Sequence, residues 1–363
     1  MATVTRRRAL AALGPVLGAG AVTRLLAGDA AAQEPHHVAA TSAGGHHGAA
    51  ADGHATLQHA GFRKGGRVDH ERNGFHPSAL ARDFDEGTTS RLASGQVLRE
   101  WELVAYEKEI EVAPGVTFAA WTYNGRVPGP TLRAREGERL RISFRNASRH
   151  PHTIHFHGIH PAAMDGVPGI GAGLIEPGRS TVYEFDAAPF GLHLYHCHAA
   201  PLAAHITKGL YGAFIIDPEE GRPEADELVM VMNGFDTNFD RSNEVYAANT
   251  IPFAYMEEPI RVVRDELIRL YLVNVLEYDL INSFHIHGNF FEYFPTGSSL
   301  RPSEYTDTVV QCQGQRGIVE MRFATTGQHM FHAHQSEFTE LGWMGFFDVC
   351  DDPDALCDLP GSP

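Results

Sequence analysis

Four histidine pairs of the form His-x-His are the part of this sequence best suited to do chemistry. The chain has 363 residues, of which 22 are histidines and 4 are cysteines. The pairs are His155 and His157, His196 and His198, His285 and His287, and His332 and His334. Residues i and i+2 of a β-strand point to the same face, so each pair would direct two imidazoles at one point. Because imidazole binds zinc, copper, iron and nickel, eight rings in this pattern predict a metal site.

Cys197 narrows the choice of metal. It lies between His196 and His198, so on a strand its side chain would point away from that pair. A thiolate with two further histidines forms the trigonal ligand set of blue-copper electron-transfer sites. His152, three residues before the first pair, and His205, eight residues after Cys197, are the candidates for those two ligands.

The segments that carry these residues show the alternation of apolar and polar side chains that predicts short β-strands. Such runs, separated by turn residues, are typical of an antiparallel sandwich, and no long helical pattern competes with them. They occur at 101–106, 139–144, 180–185, 261–264 and 267–273.

An internal repeat divides the chain. The run Gly137 to Asn146 precedes the first histidine pair, and the similar run Arg264 to Asn274 precedes the third. The corresponding pairs are 130 and 136 residues apart, which indicates two copies of one domain. We place the domains at 96–218 and 226–350, with a linker at 219–225 and a C-terminal tail at 351–363.

The N-terminal part predicts an exported protein. Residues 1–33 combine Arg6 to Arg8, a short apolar run and Ala30 to Ala32, the pattern of a twin-arginine-like export signal. We therefore expect a periplasmic or extracellular location. Residues 34–95 are rich in His, Ala and Gly, which favours a flexible arm over a metal-binding tract. The net charge of −16 argues against nucleic acid or an anionic membrane as the main partner.

The histidine pairs, with His152, Cys197 and His205, resemble the copper motifs of multicopper oxidases of the laccase group. Because there are two copies, the sequence resembles a two-domain enzyme, related to copper nitrite reductases. The resemblance implies an all-β fold of two cupredoxin-like Greek-key β-sandwiches and a homotrimer with copper clusters between subunits. It also implies dioxygen as the acceptor and a phenol, an aromatic amine or a metal ion as the reducing substrate.

The resemblance also implies the role of each residue and four coppers per chain. A type 1 copper would be held by His152, Cys197 and His205, with Leu210 in the axial position. The second copy has Asn282 and Ala333 at the matching positions and lacks such a site. His155 and His285 match the type 2 copper ligands, and the type 3 positions are filled by His157, His196, His198, His287, His332 and His334.

Three features depart from the pattern or stay open. The spacing from Cys197 to His205 is longer than in a typical laccase and closer to that of nitrite reductases. Leu210 would leave the type 1 copper without an axial donor, which should raise its reduction potential. Asp307 stands where similar enzymes keep a carboxylate that relays protons, although an ordinary turn aspartate is the alternative. Glu337 is a weaker candidate for the same role.

Two other functions remain as alternatives. A copper nitrite reductase needs one histidine of each pair, with an aspartate typically at the place of His155 and no histidine at that of His198. An electron-transfer protein without turnover needs the blue-copper site alone and leaves the other eight histidines unexplained. For the remaining cysteines, Cys350 and Cys357 could form a disulfide, and Cys312 would be free unless it pairs with one of them.

Overall fold

The structure is a computed structural model that describes residues 67–352. The predicted export signal at 1–33, the predicted arm up to residue 66 and the tail from residue 353 lie outside this range. Within it strands dominate, and no helix is longer than six residues. The prediction of an all-β fold is confirmed.

The first half of the chain forms two sheets. Its strands in chain order are β1 (Phe84–Asp85), β2 (Thr88–Arg91), β3 (Val97–Ala113), β4 (Val116–Tyr123), β5 (Thr131–Arg135), β6 (Arg139–Asn146), β7 (His155–Phe156), β8 (Ser180–Asp186), β9 (Gly191–His196) and β10 (Tyr211–Asp217). One sheet has the order β1-β5-β10-β9-β7, and the other has β2-β3-β6-β8 with β4 paired to β3. We call this half the first sandwich.

The second half forms the second sandwich. Its strands are β11 (Asp226–Phe235), β12 (Val245–Ala248), β13 (Ile260–Val263), β14 (Ile268–Asn274), β15 (Ile281–Ile286), β16 (Phe291–Pro295), β17 (Glu304–Thr306), β18 (Thr308–Cys312), β19 (Arg316–Met321), β20 (Gly327–His332) and β21 (Met344–Cys350). The sheet orders are β12-β11-β14-β19-β16-β17 and β13-β21-β20-β15-β18. The described part between β10 and β11, at residues 218–225, contains no strand.

Helices are short connections between the strands. They are α1 (His70–Asn73), α2 (Pro77–Leu80), α3 (Leu202–Thr207), α4 (Ala254–Glu257) and α5 (Ser336–Glu340), with a 3₁₀ turn at Ala162–Met164. Helices of this length cannot form a layer of their own, so the sheets supply the cores.

The strands of the two sandwiches pair in the same pattern. In the first sandwich β5 runs parallel to β10, which is antiparallel to β9, which is antiparallel to β7. In the second sandwich β13, β21, β20 and β15 repeat this order and these directions. The second sheets also match, since β3-β6-β8 and β11-β14-β19 each pair first parallel and then antiparallel. Two copies of one topology therefore carry the two sets of histidines.

Alternating burial explains why these segments form strands. In β6 the buried side chains Leu140, Ile142 and Phe144 alternate with more exposed neighbours and pack in the core of the first sandwich. A separate core fills the second sandwich. A third apolar cluster draws residues from both halves, including Leu194 and Val273, and joins the two sandwiches.

An ionic network crosses the same junction. The Arg133 guanidinium donates to Asp217 at 2.7 Å and to Glu227 at 2.5 Å. Arg269 donates to Glu227 at 2.9 Å and to Glu320 at 2.6 Å. These partners hold the pKa of the Glu227 carboxyl below its usual value although burial opposes this. The network fixes β5 of the first sandwich against β11 of the second.

The structure corrects the predicted flexible arm over residues 67–95. Asn73 is buried and exchanges two hydrogen bonds of 2.8 Å with the backbone of Glu111. The Tyr255 hydroxyl of the second sandwich donates to the Pro77 carbonyl at 2.9 Å. These specific contacts order a segment whose own sequence has no periodicity, which is why pattern alone did not predict it.

The first sandwich therefore begins before residue 96. Strand β1 pairs with β5, and β2 pairs with β3, so both sheets include residues of the predicted arm. Cys350, at the end of β21, is disulfide-bonded, whereas Cys197 and Cys312 are free thiols. The remaining cysteine, Cys357, lies outside the described residues.

Candidate metal centres

Three potential metal ligands converge in the first sandwich at the end of β9. The Sγ atom of Cys197 lies 3.2 Å from Nδ1 of His205 and 3.8 Å from Nδ1 of His152. The two Nδ1 atoms are 3.1 Å apart. None of the three residues is more than 3% exposed. The structure thus brings together the three residues that the sequence assigns to a mononuclear site.

Each of these ligands comes from a different local element. Cys197 directly follows β9, and His152 forms an isolated bridge with Ile175. His205 lies in α3, which begins five residues after Cys197. The helix returns the chain towards the end of β9, which accounts for the eight-residue spacing between Cys197 and His205.

Burial sets the protonation of this group. Desolvation lowers the pKa of His152 to about 3 and that of His205 to about 4, so both imidazoles are neutral near pH 7. Burial also raises the pKa of the Cys197 thiol. The backbone N–H of Thr153 donates to Cys197 Sγ at 3.4 Å. Neutral ring nitrogens and a thiol that face one another in a buried pocket fit a metal that binds imidazole and thiolate, such as copper.

Leu210 is fully buried beside this group. Its carbonyl accepts a 3.0 Å hydrogen bond from the backbone N–H of Cys197, and both residues belong to the core of the first sandwich. In the second sandwich Asn282 and Ala333, which stand at the positions of His152 and Cys197, are also buried. Among residues 67–352, a ligand group that contains a thiol occurs only in the first sandwich.

The first two histidine pairs form a second group in the first sandwich. Ligand nitrogens of His155, His157 and His196 all lie within 4.8 Å of one another. The Nε2 atoms of His157 and His196 are 2.9 Å apart. The ring of His198 lies 5.5 Å from that of His155 and 5.8 Å from that of His196, between ring centres. We call these four residues the first half-site.

The second sandwich repeats this group, which we call the second half-site. His285, His287 and His332 bring ligand nitrogens within 4.8 Å of one another. The Nε2 atoms of His287 and His332 are 3.0 Å apart. The ring of His334 lies 5.3 Å from that of His285, between ring centres.

The same strand register produces both half-sites. His155 of β7 pairs with His196 of β9, and His285 of β15 pairs with His332 of β20. Facing residues on adjacent strands have side chains close together, so two pairs become one cluster. In the first half-site the turn after the first pair is made by Gly158, whose φ of 78° favours glycine.

Hydrogen bonds to backbone carbonyls orient the rings. Nδ1 of His155 lies 2.9 Å from the Asp165 carbonyl oxygen, and Nδ1 of His285 lies 3.0 Å from the Asp307 carbonyl oxygen. His196 and His332 make similar contacts with the carbonyl of the following residue. With Nδ1 engaged as a donor, Nε2 is free to bind a metal.

Aspartates lie beside both half-sites. Asp165 Oδ1 is 2.9 Å from Nδ1 of His155 and 3.4 Å from Nε2 of His160. Asp307 Oδ2 is 4.0 Å from Nδ1 of His285. Asp307 is a candidate from the sequence alone, whereas Asp165 is not, although the position of Asp165 ten residues after His155 in a Gly- and Pro-rich turn is a signal.

Glu337 is an exposed residue of α5. Its backbone carbonyl accepts a hydrogen bond of 2.9 Å from the Leu341 N–H. Within residues 67–352, no hydrogen bond or ion pair joins Glu337 to a half-site histidine.

The two half-sites do not share a cavity within one chain. The first half-site lines a cavity of about 530 Å³, and His285 and His287 line another of about 660 Å³. Among the described residues, no group of close ligand atoms mixes the two half-sites. Each chain thus presents two sets of four histidines rather than one set of eight.

The second sandwich forms one wall of the first half-site's cavity. Val275, Glu277, Gln313 and Gly314 line it together with the histidines. The Gln313 side chain donates a hydrogen bond to Glu277, whose pKa is raised by burial. No motif pointed to these residues, because they reach the site only through the packing of the two sandwiches.

The fold and the ligand groups define a class of copper proteins. Family models for multicopper oxidase domains match residues 105–221 and 223–353. The chain therefore belongs to the multicopper oxidase family. Membership supports copper as the metal for the ligand groups described above.

Known proteins agree with this family. A multicopper oxidase of known crystal structure is 64% identical in sequence to this chain. The match covers 78% of this chain and 100% of the other, with a TM-score of 0.77. The blue copper oxidase of Nitrosomonas europaea is 28% identical, with coverages of 69% and 86% and a TM-score of 0.63.

A second group of similar proteins carries the name copper-containing nitrite reductase. The copper-containing nitrite reductase of Neisseria meningitidis serogroup A is 31% identical over 252 residues, 63% of this chain and 63% of that protein. The chain thus spans less than two thirds of the length of the curated relatives it matches. Within residues 67–352, no helix has the length and apolar character needed to cross a membrane.

Proposed function

We propose that this chain is a laccase-like oxidase that couples one-electron oxidation of small reductants to the four-electron reduction of dioxygen to water. The observation that carries the proposal is the completeness of the histidine set, four in each sandwich in the same strand register. Bound copper would supply one-electron redox chemistry at the cysteine site and the reduction of dioxygen at the histidine set. Phenols and aromatic amines are the reductants we favour, with metal ions as the alternative.

Four coppers per chain would use every ligand. His152, Cys197 and His205 would hold the type 1 ion. His155 and His285 would hold the type 2 ion. The type 3 pair would be held by His157, His196, His198, His287, His332 and His334.

The chain itself connects the two kinds of site. Cys197 is covalently bonded to His196 and His198, both of the first half-site. An electron that reaches the Cys197 sulfur can therefore travel through a few covalent bonds to either imidazole. Neighbouring positions on one strand point to opposite faces, which separates the site of substrate oxidation from that of dioxygen reduction.

Asp165 and Asp307 would relay the protons that the reduction of dioxygen consumes. Reduction of one dioxygen to two waters consumes four protons, so a donor near the half-sites is required. Both carboxylates lie beside a type 2 candidate ligand, and Asp307 also accepts a 3.0 Å hydrogen bond from the Thr308 hydroxyl. The Asp165 carboxylate would in turn relay protons from His160, which is 3.4 Å away.

A homotrimer would complete the metal set. Because one chain keeps its half-sites apart, the first half-site of one copy must meet the second half-site of another to surround three ions. The second sandwich exposes apolar side chains near its half-site that suit such an interface. They include Phe290 and Tyr305, whose rings lie 5.3 Å apart beside His285 and His287.

A copper nitrite reductase is the second candidate, because the curated relatives at 31% identity carry that name. The presence of His155 and His198 favours the oxidase over it. A copper-binding electron carrier without turnover would need only the cysteine site. We also propose export to the periplasm or the extracellular space, on the basis of the N-terminal sequence.

One set of measurements separates these functions. Copper-loaded protein is analysed for metal content, visible and near-ultraviolet absorption, oxygen uptake with a phenol, nitrite turnover and mass in solution. Four coppers per chain, a blue band, oxygen uptake and a trimeric mass are expected. Two coppers per chain with nitrite turnover would identify a reductase, and a blue band without either activity would identify a carrier.

A further inference from the structure

The imidazoles of the candidate type 1 site have almost no exposed surface. His152 and Cys197 are 0% exposed and His205 is 3% exposed. Because so little of either ring is exposed, a reductant in solution would contact mainly a side chain that packs over the rings.

Trp121 of β4 is that side chain. Its ring centre lies 5.1 Å from that of His152 and 4.8 Å from that of His205, in edge-to-face contact with both. Its backbone N–H donates to the Lys208 carbonyl at 2.8 Å, which fixes β4 against the turn after α3. Trp121 is partly exposed, whereas Trp101 and Trp343 are buried.

Trp121 also contacts side chains at the surface. The ring of the exposed residue His150 lies 4.8 Å from the indole, between ring centres. The Lys208 ammonium is 5.5 Å from the centre of the indole and 4.7 Å from that of Phe239, which is 61% exposed. We call Trp121, His150, Lys208 and Phe239 the Trp121 surface.

We propose that the indole of Trp121 is the contact through which an outside reductant passes electrons to the candidate type 1 site. The inference rests on the proposed function and adds a residue outside the ligand set. A phenol docked on the Trp121 surface loses one electron and one proton to give a phenoxyl radical. A cupric ion held by His152, Cys197 and His205 would accept that electron through the indole and become cuprous, the proton would go to water, and Trp121 would be unchanged.

The geometry requires an aromatic ring at this position. One ring in contact with both imidazoles gives a continuous path of packed atoms, whereas an aliphatic side chain would leave a gap at one of them. Trp121→Phe should therefore preserve most of the contact, and Trp121→Leu should break it. Phe84→Leu is the matched control, because Phe84 lies in β1 and its ring contacts Tyr271 and Arg133 rather than a ligand.

The first test follows bleaching of the blue band by 2,6-dimethoxyphenol without oxygen, so that dioxygen reduction plays no part. We expect Trp121→Leu to slow bleaching at least tenfold, Trp121→Phe to recover most of the rate, and Phe84→Leu to match the wild type. The band and the reduction potential should remain unchanged. An undiminished rate in Trp121→Leu, or a loss explained by a shifted potential, would overturn the proposal.

The second test does not need copper. Metal-free protein labelled with 5-fluorotryptophan gives three ¹⁹F signals, and the signal absent from Trp121→Phe belongs to Trp121. Titration with 2,6-dimethoxyphenol should shift that signal alone, and a titration that leaves it unmoved would refute docking there. If bleaching depends on Trp121 but the protein takes up no oxygen, the proposed oxidase function is wrong and the role of Trp121 in electron entry is still supported.

Discussion

The Cys197 sulfur lies 3.2 Å from Nδ1 of His205, although eight residues separate them along the chain. The short helix α3 occupies most of that interval and turns His205 back towards the end of β9. This eight-residue connection therefore brings the histidine within reach of the Cys197 sulfur. The spacing changes the loop and leaves the ligand group intact.

Replacing Cys197 should remove the type 1 copper and leave the other three coppers bound. In Cys197→Ser the blue band should disappear and the copper content should fall from four to three per chain, because a hydroxyl does not replace the thiolate. The exposed free thiol Cys312 provides the control, and Cys312→Ser should keep both properties. Absorption spectra and metal analysis measure the outcome. A blue band that survives in Cys197→Ser would contradict the assignment.

Leu210→Met should lower the reduction potential of the type 1 site. The thioether would supply an axial donor that stabilises cupric copper, and axial ligand identity is one determinant of such potentials. Leucine and methionine have similar volumes, so the change should cost less than about 1.5 kcal/mol in stability. A redox titration of the blue band measures the potential. An equal or higher potential with an intact band would show that Leu210 does not occupy the axial position.

The architecture and the ligand groups could be predicted because both depend on short-range patterns. Alternating burial fixes which face of β6 enters the core, and the His-x-His spacing fixes which imidazoles share a face. The internal repeat predicts equivalent strands, and in the structure His155 pairs with His196 as His285 pairs with His332.

Features that depend on contacts between distant segments could not be predicted. Asn73 is ordered by Glu111, and Glu277 reaches the first half-site only because the second sandwich packs against it. Trp121 contacts the two imidazoles only because β4 lies against the turn after α3. In each case the partner is dozens of residues away, and nothing in the local sequence identifies it.

Asp165→Asn should slow the reduction of dioxygen without affecting the oxidation of the reductant. An amide keeps the shape of the side chain but cannot cycle a proton, and positioned acids commonly contribute about 100-fold or more. We expect oxygen uptake to fall by about that factor, while anaerobic bleaching of the blue band keeps its rate. Equal loss in both steps would show that Asp165 has a structural role instead.

Asp307→Asn provides a comparison at the other half-site. The Asp307 carboxylate is farther from its histidine, 4.0 Å against 2.9 Å for Asp165. We therefore expect a smaller loss of oxygen uptake than in Asp165→Asn, measured at the same pH and copper content. A larger loss would reverse the proposed order of the two carboxylates.

Acid should destabilise the metal-free protein through its buried histidines. His193 is 3% exposed, lies next to the carbonyls of His157 and Pro189, and has its pKa lowered by burial to about 4. Because this is below the unfolded value near 6.5, the unfolded chain binds more protons between the two values. The neutral His193 ring thus contributes about 3 kcal/mol to the free energy of unfolding above pH 6.5, and this contribution declines as the pH falls towards 4.

Urea unfolding of metal-free protein at pH 7.5 and pH 4.5 measures this effect. His193→Gln removes the titrating ring. Between pH 7.5 and pH 4.5 the free energy of unfolding of this variant should therefore fall by roughly 2 kcal/mol less than that of the wild type. Copper-loaded protein should also lose less stability over this pH range than metal-free protein, since bound metal competes with protons for the other histidines. An NMR titration of His193 with a midpoint near 6.5 would disprove the assignment.

A charge placed on the second sandwich should prevent assembly and thereby abolish dioxygen reduction. Val310 of β18 is 59% exposed and pairs with Ser283, whose hydroxyl accepts a 2.7 Å hydrogen bond from the His334 N–H. In Val310→Glu we expect a monomeric mass, a preserved blue band and at least a tenfold loss of oxygen uptake, because each chain then keeps two separate half-sites. Val182→Glu, a similar change on β8 of the first sandwich, is the control and should remain trimeric. A monomer that consumes oxygen at the full rate would mean that one chain is sufficient.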